Sequence, residues 1–545
     1  SPEIAWRGAD GTEQTWRPFD DEVSAHETQG LRVEARHPEL TFVTELDVEG
    51  RHTVLRTRII PAERSPFLLR SLRWESKRET GFAGADRLVR RSLPYDVWGA
   101  TGEFALTEPT PDDRAEYWRT AIFEPGQPDA ALTWSAKLPA DWLHRFEFQG
   151  GDCALRTRIE AELRPGEVFE NDPLALCLHG DFNETLAGPA GFNAARVAPS
   201  SGPLHVAWNS WDNYRLTVTQ EDILENLEEL KKHTWLRDLV RYVVVDDGWQ
   251  NRVGEWEPNE KFGKGMDWLA GEIRAGGFIP GMWAAPFFVE AGSRIYDEHP
   301  EYCVQHEGVP YRPFALIGCE SPWGDRAYLD PTRPVVADHI HRLWRKFYDW
   351  GYRYFKTDFL ANSWKLPNAD PLPGAPPDGP EPDFSGRLGI HHRNLGLHRG
   401  HRRCMAAIRA AIGEESFWLG CGSVWGTGAG LMDASRVSAD IDITWKSLVN
   451  CGRNAFLNQH AHGRLWLNDP DFLVVRGRDT ATPEQLADFQ TDDVYASKPA
   501  CPDPFTLDEA RMWAALIVLS GGMVVLSDRI KGLNKAGLDI LKTIA

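Results

Sequence analysis

The sequence predicts an α/β protein in two parts: an antiparallel β-sandwich over residues 1–195, then a (β/α)8 TIM barrel over residues 196–545. Three observations carry that prediction. The first part is a run of short alternating segments broken by Gly, Pro and Asp. The texture changes after FNETLAGPAGFNAARVAPSSGP. Beyond it, eight strand-like segments alternate with amphipathic helical ones, the pattern of a parallel α/β fold.

In the first part, LTFVTELDVEG, HTVLRTRII, FLLRSLRW, ALTWSAKLP, HRFEFQG and CALRTRIEAELRPG read as half-buried strands. In the second, the strands are LHVAWNSW, YVVVDDGWQ, GFIPGMWAAPFFV, YRYFKTDFL, SFWLGCG, SRVSADI, LWLNDPDFLVV and MVVLSD. The first helix starts at TVTQEDILENLEELKKH, where Thr219 and Asp222 make a capping box and Ile223, Leu224, Leu227 and Leu230 form an apolar face. VVADHIHRLWRKFYDWG, RGHRRCMAAIRAAIG, WKSLVNCGRNAFLNQ, LDEARMWAALIVLSGG and NKAGLDILKTIA supply further helices. An open doubly wound sheet is the competing arrangement, but no GxGxxG follows the first strand. The Pro-rich stretch LPNADPLPGAPPDGPEPDFSG after the fourth strand can only be a long loop, expected to shape access to the catalytic face.

Composition narrows the function. The 545 residues carry a formal net charge of −20, which disfavours nucleic-acid and anionic-membrane partners. No apolar run reaches the length that crosses a bilayer. No signal peptide is visible at SPEIAWRGADG, so a soluble protein is expected, cytoplasmic or exported after signal removal. The eight cysteines contain no CxxC pair, and Cys303 and Cys319 are open to pairing or to remaining reduced. The histidines of GIHHRNLGLHRGHRR match no metal-ligand spacing, so neither metal nor cofactor is expected. Tryptophan, at 23 residues, favours carbohydrate, since indoles stack on sugar faces. Homo-oligomerisation is compatible with the sequence, which gives no interface.

In a barrel, polar residues at the C-terminal ends of the strands converge on one mouth. Here they are Trp211 after the first strand, Asp246, Asp247 and Trp249 after the second, and Trp283 after the third. Lys356 and Asp358 follow the fourth, Cys421 and Ser423 the fifth, and Arg436 and Asp440 the sixth. Asn468, Asp469 and Asp471 follow the seventh, and Asp528 the eighth. Glycosidic cleavage needs two carboxylates in distinct environments, one nucleophile and one proton donor. In YFKTDFL, Lys356 beside Asp358 favours an ionised carboxylate, the state a nucleophile requires. Asp440 lies between Ala439 and Ile441, an apolar frame that favours the acid, with Arg436 opposing. Asp469 and Asp471, beside Pro470, read as loop-fixing carboxylates, and Cys421 as a pocket wall without a histidine partner.

DDGW on the second strand, K-x-D on the fourth, RVSADIDITW at the sixth and NDPD at the seventh resemble the melibiase clan of glycoside hydrolases, the α-galactosidases and α-N-acetylgalactosaminidases of families 27 and 36. NSWDNY and CGSVWGTGAGLMDASRVSADID resemble bacterial family 36 members in particular. The resemblance implies an exo-acting, retaining mechanism on terminal α-galactoside-type bonds, without metal or cofactor. It implies Asp358 as nucleophile and Asp440 as acid/base, with Asp246 and Asp247 on the O4 and O6 hydroxyls. Lys356 and Arg436 would hold neighbouring hydroxyls, Cys421 would lie near O2, and Trp211 and Trp283 would form apolar walls. Small Gly422 and Ser423 leave room for a 2-acetamido group.

The chain departs from family 36 where W-x-E-P-E becomes WAAPFF, and where a glycine-rich turn becomes CGSVWGTG with Trp425 at the rim. The family's usual C-terminal β-sandwich is expected to be absent. The alternatives within the class are an α-N-acetylgalactosaminidase and a raffinose-synthase-like transglycosylase, whose family shares DDGWQ. The alternative outside it is an inactive carbohydrate-binding barrel, against which the presence of both Asp358 and Asp440 counts.

Overall fold

The computed structural model describes residues 2–7, 12–20, 23–27, 30–49, 52–62, 67–76, 87–94, 103–107, 117–125, 131–136, 140–149, 152–180, 205–306, 308–312, 326–360, 388–389, 397–421, 425–487, 497–498 and 500–545. The Pro-rich stretch, Cys319, Gly422 and Ser423 lie outside them. The chain divides into two compact units, one of Ser1–Ala194 with Ile390–Arg403 and Val424–Ala429, the other holding the rest. Trp425 therefore groups with the first unit.

The first unit contains two antiparallel sheets. One has five strands, in the order Leu143–Gln149, Asp152–Leu163, Phe67–Ser76, Pro2–Arg7, Glu13–Trp16. The other has ten and is built around Leu40–Glu49 and His52–Pro61. Period-two alternation works as expected: in PEIAWR, positions 2, 4 and 6 are buried while 3, 5 and 7 are not. Ile4, Trp6, Leu69 and Leu72 of the five-stranded sheet share one core with Leu40, Phe42 and Ile59 of the ten-stranded one.

The second unit is organised by a nine-stranded parallel sheet. Its strands are β1 (Val206–Asn209), β2 (Tyr242–Val245), β3 (Ile279–Ala284), β4 (Tyr354–Thr357), β5 (Phe417–Gly420), β6 (Ala434–Arg436), β7 (Leu467–Asp469), β8 (Phe472–Leu473) and β9 (Val524–Leu526). The order is β7-β6-β5-β4-β3-β2-β1-β9-β8. The expected seventh strand, LWLNDPDFLVV, is thus two strands. Pro470 has no N–H for a ladder and Asp471 takes φ 83, so the run breaks there. Its halves sit at opposite ends of the strand order. Two residues link them, so the sheet curls until its edges are about one short turn apart.

Buried strands such as YVVV and FWLG are apolar throughout, as a sheet covered on both faces requires. The covering helices include α1 (Gln220–Lys232), α2 (Met266–Ala275), α3 (Pro334–Asp349), α4 (Leu397–Ile412), α5 (Trp445–Leu457), α6 (Leu507–Leu519) and α7 (Lys535–Ile544). The Thr219–Asp222 capping box is formed, and Thr506–Glu509 repeats it at α6. On α1 the buried face includes Asn226, which donates to the Tyr214 hydroxyl at 2.7 Å, while Leu224 is only half-buried. No helix among the described residues is long and apolar enough to cross a membrane.

Candidate active site

Because every neighbouring pair in the curled sheet is parallel, the C-terminal ends of β1 to β9 share one edge. Register sets the first contacts along it. Trp283 on β3 is the partner of Lys356 on β4, and Arg436 on β6 is the partner of Asp469 on β7.

Lys356 makes its direct ion pair with Asp246 and acts on Asp358 only through space. Its ammonium donates to Asp246 Oδ2 at 2.8 Å, with both side chains almost fully buried. Asn209 Nδ2 donates to the same oxygen at 2.6 Å, and Asn209 Oδ1 accepts from the Trp211 backbone N–H at 2.8 Å. Burial opposes the charge on Lys356, yet Asp246, Cys421 and Asp358 together outweigh it and the ammonium is held well above its ordinary range. Asp358 makes different contacts. The Trp283 indole N–H donates to Oδ2 at 3.2 Å and the Phe359 backbone N–H to Oδ1 at 2.7 Å. The strand ends at Thr357, and Phe359 takes φ 51, so the chain leaves the strand direction directly after Asp358.

The DDGW segment turns after β2 ends at Val245. Gly248 has φ 114, and a Cβ there would meet Leu216 Cα at 2.9 Å, so only glycine fits. The turn gives the two aspartates separate surroundings. Asp246 Oδ1 accepts from the Asp247 N–H at 2.9 Å. Asp247 Oδ1 accepts from Gln250 Nε2 at 2.5 Å, and its buried Oδ2 has no hydrogen-bond partner among the described residues. Burial pushes the Asp247 carboxyl up to about 6, Asp246 and Asp358 add to the shift, and Arg326 and Gln250 oppose it. Trp249, expected at this edge, is instead fully buried against Trp256, Phe347 and Trp350. Its indole ties to the Trp283 carbonyl at 2.9 Å.

Asp440 is the second correction. It lies beyond the end of β6 with a side chain 59% exposed, not in an apolar frame. Arg436 Nη1 donates to its Oδ1 at 2.9 Å. Arg436 is shared: its Nε donates to Asp469 Oδ2 at 3.2 Å, and Nη2 pairs with Asp471 Oδ1. Cys421, buried after β5, joins the groups. Burial holds its thiol well above the ordinary range, and Arg436, Asp358, Lys356 and Asp440 all act on it electrostatically. A thiol held protonated is a wall, not a nucleophile. Cys303 is likewise a free, buried thiol. Of the sequence-derived residues, the structure links Trp211, Asp246, Asp247 and Lys356 in one hydrogen-bonded chain, Trp283 to Asp358, and Arg436 to Asp440.

Sequence reasoning missed Arg326. Its guanidinium lies over the Phe288 and Phe359 rings at 5.5 and 5.7 Å and acts on Asp247, while its buried Nε and Nη1 have no hydrogen-bond partner among the described residues. No local motif marks it. It also missed a buried network that joins the ends of β1, β8 and β9. Arg476 there bridges Asp212 and Asp528, and Lys498 approaches Asp212 Oδ2 at 3.7 Å. Despite burial, these cations hold Asp212 at about 2. Among the described residues, no group of three or more His, Cys, Asp or Glu is placed to hold a metal ion.

The curled parallel sheet and this edge of carboxylates, indoles and guanidinium groups define an α/β protein with a polar cluster at its strand ends. Residues 196–343 match the Melibiase family model. Curated homologues include the "A type blood alpha-D-galactosamine galactosaminidase" of Flavonifractor plautii, 27% identical over 37% of this chain and 19% of its own length. Alpha-galactosidase AgaA of Geobacillus stearothermophilus is 27% identical over 33% of this chain and 24% of its own. Alpha-galactosidase mel1 of Schizosaccharomyces pombe is 29% identical over 32% and 43%. The chain therefore spans less than half the length of these curated relatives. Among solved structures, the α-galactosidase TtGalA of Thermus thermophilus, in complex with stachyose, matches with TM-score 0.62 at 20% identity over 96% of this chain and 99% of that one. The GH36 α-galactosidase AgaA matches with TM-score 0.63 at 14% identity over 99% and 74%. At these identities the structural matches speak for the fold.

Proposed function

We propose that this protein is a retaining, exo-acting glycoside hydrolase that cleaves terminal α-galactosyl bonds, with Asp358 as nucleophile and Asp440 as acid/base. One observation carries the reading: Asp358 and the Arg436–Asp440 pair follow β4 and β6 on the same sheet edge, and both aspartates act on the Cys421 thiol between them in strand order. The Phe359 and Trp283 N–H groups aim the Asp358 carboxylate. Attack by Asp358 on the anomeric carbon forms a glycosyl ester, while Asp440 delivers its proton to the departing oxygen; water, deprotonated by Asp440, then releases the sugar.

In this reading Asp246 is neutralised by Lys356 and accepts a sugar hydroxyl in a fixed orientation. Asp247 offers Oδ2 and Arg326 offers Nε and Nη1 to the same ring. Trp211, Trp283 and Cys421 form walls, with Cys421 near O2, and Arg436 holds Asp440. No residue in this scheme calls for a metal or cofactor. The relatives named above, α-galactosidases and a galactosaminidase, support the substrate class. The galactosaminidase favours α-N-acetylgalactosaminide as a second glycone to test.

The fold is read as a closed barrel over residues 196–545 after a β-sandwich over residues 1–195. The two-residue link between the end strands β7 and β8 supports closure, and the core shared by the two N-terminal sheets supports the sandwich. Incubation with nitrophenyl α-galactoside, α-N-acetylgalactosaminide, α-glucoside and β-L-arabinopyranoside tests the function. Release from the α-galacto compounds is expected. A chain that binds galactose but releases nitrophenol from none of them is a binding protein.

A further inference from the structure

We propose that Asp471 is a positioning residue for Asp440: it clamps the loop that carries Asp440 from two sides and thereby aims its carboxyl at the leaving group. The inference rests on the assignment of Asp440 as acid/base.

Asp440 is more than half exposed, so its own burial does not orient it. Its one described hydrogen bond is the one from Arg436 Nη1. The residues around it are anchored. Asp471 Oδ2 accepts from the Ile441 backbone N–H at 2.5 Å, and Oδ1 pairs with the guanidinium of Arg436. One carboxylate therefore grips the residue after Asp440 and the side chain that touches Asp440. Ser438 Oγ donates to the Pro470 carbonyl at 2.7 Å, and Cys451 Sγ on α5 donates to the Ala439 carbonyl at 3.3 Å.

The backbone of Asp471 points to the same role. Its φ of 83 is a left-handed conformation that non-glycine residues adopt at a cost, sustained where the surroundings over-determine it. An apolar residue at the end of a strand needs no such geometry. In this conformation the one carboxylate contacts both the Arg436 guanidinium and the Ile441 N–H.

Charge supplies a second link. The groups acting on Asp440 are Arg436 four residues before it, Asp471 on the β7–β8 turn and Cys421 after β5, while Asp469 at the end of β7 acts on Arg436 and Asp471. Cys451 on α5 faces the same Arg436 and Asp471. Burial pushes the Asp471 carboxyl up and Asp440 and Asp469 add to that shift, while the Arg436 guanidinium and the Ile441 N–H oppose it and favour the charged form. Asp471 and Asp440 compete for one guanidinium. Without a charge at 471, Arg436 rests more heavily on Asp440 and disfavours its protonated form.

The test uses the full chain with Asp471→Asn and with Asp471→Gly, both compatible with positive φ. Each is assayed on an α-galactoside with an activated nitrophenyl leaving group and on one with an alkyl leaving group, across pH. Proton donation matters only for the poor leaving group, and such assistance is worth about 10²–10⁴ in rate. The expected result is a loss of about tenfold or more on the alkyl galactoside against about threefold or less on the activated one, with the alkaline limb of kcat/KM moved to lower pH. Proportional losses on both substrates with an unmoved limb overturn the inference, as does failure of both variants to fold, since either makes Asp471 purely structural. The parent assignment is checked separately by Asp440→Asn. If that variant shows no leaving-group dependence, the acid/base assignment and this inference fall together. If it does while the Asp471 variants match wild type, the inference alone falls.

Discussion

Lys356 pairs with Asp246, not with the aspartate two residues along its own chain. The 2.8 Å contact joins the fourth strand to the end of the second, and both side chains are at least 96% buried. Removing one partner of such a pair leaves a buried charge uncompensated, which typically costs about 3–5 kcal/mol. Lys356→Met should therefore lower unfolding free energy by about that amount, with Asn209 retaining only part of the Asp246 environment. Denaturant unfolding followed by tryptophan fluorescence measures it. A loss below about 1 kcal/mol would place the pair in the range of surface ion pairs and contradict its burial.

Asp247 gives a pH dependence with a defined sign. Its folded value of about 6 lies above the unfolded value, so the native state holds a proton that the unfolded chain releases. The associated stability is fully present below about pH 4 and lost as pH rises through about 6, on the order of 3 kcal/mol in all. Asp247→Asn, which cannot ionise, should gain stability relative to wild type across that window. Parallel wild-type and variant stability curves from pH 4 to 7 would contradict the upward shift that burial gives this carboxyl.

The same unpaired Oδ2 shapes sugar choice. A galacto-configured ring brings O4 and O6 to one edge, where two adjacent carboxylates can accept both. A gluco-configured ring moves O4 away and strands a buried acceptor, a loss of about 1–3 kcal/mol. Turnover of α-galactoside should exceed that of α-glucoside by at least about tenfold in kcat/KM. Equal or faster α-glucoside turnover removes the galacto assignment while leaving the two-aspartate mechanism standing.

Much of the second unit was legible because its signals are local. The Thr219–Asp222 cap, the apolar runs of β2 and β5 and the glycine after DD each act within a few residues. The break at Pro470 was missed: proline cannot donate to a ladder, but the apolar flanks LWL and FLVV read as one continuous strand. The site was less legible where partners come from different loops. Lys356 and Asp358 share spacing, yet Lys356 turns to Asp246, 110 residues away in sequence. Ala439 and Ile441 flank Asp440 without burying it, because the chain has left the strand four residues earlier. Arg326 owes its place to Phe288 and Phe359, neither near it in sequence, so no pattern around it could have pointed there.

The central claim is that Asp358 attacks the anomeric carbon, and trapping the glycosyl ester tests it most directly. Incubation with a fluorinated α-galactosyl fluoride, which slows breakdown of the ester, followed by peptide mass spectrometry, should place a single fluorohexosyl group on Asp358. An adduct on another carboxylate, or sustained turnover of α-galactosides with no adduct at all, would contradict the assignment.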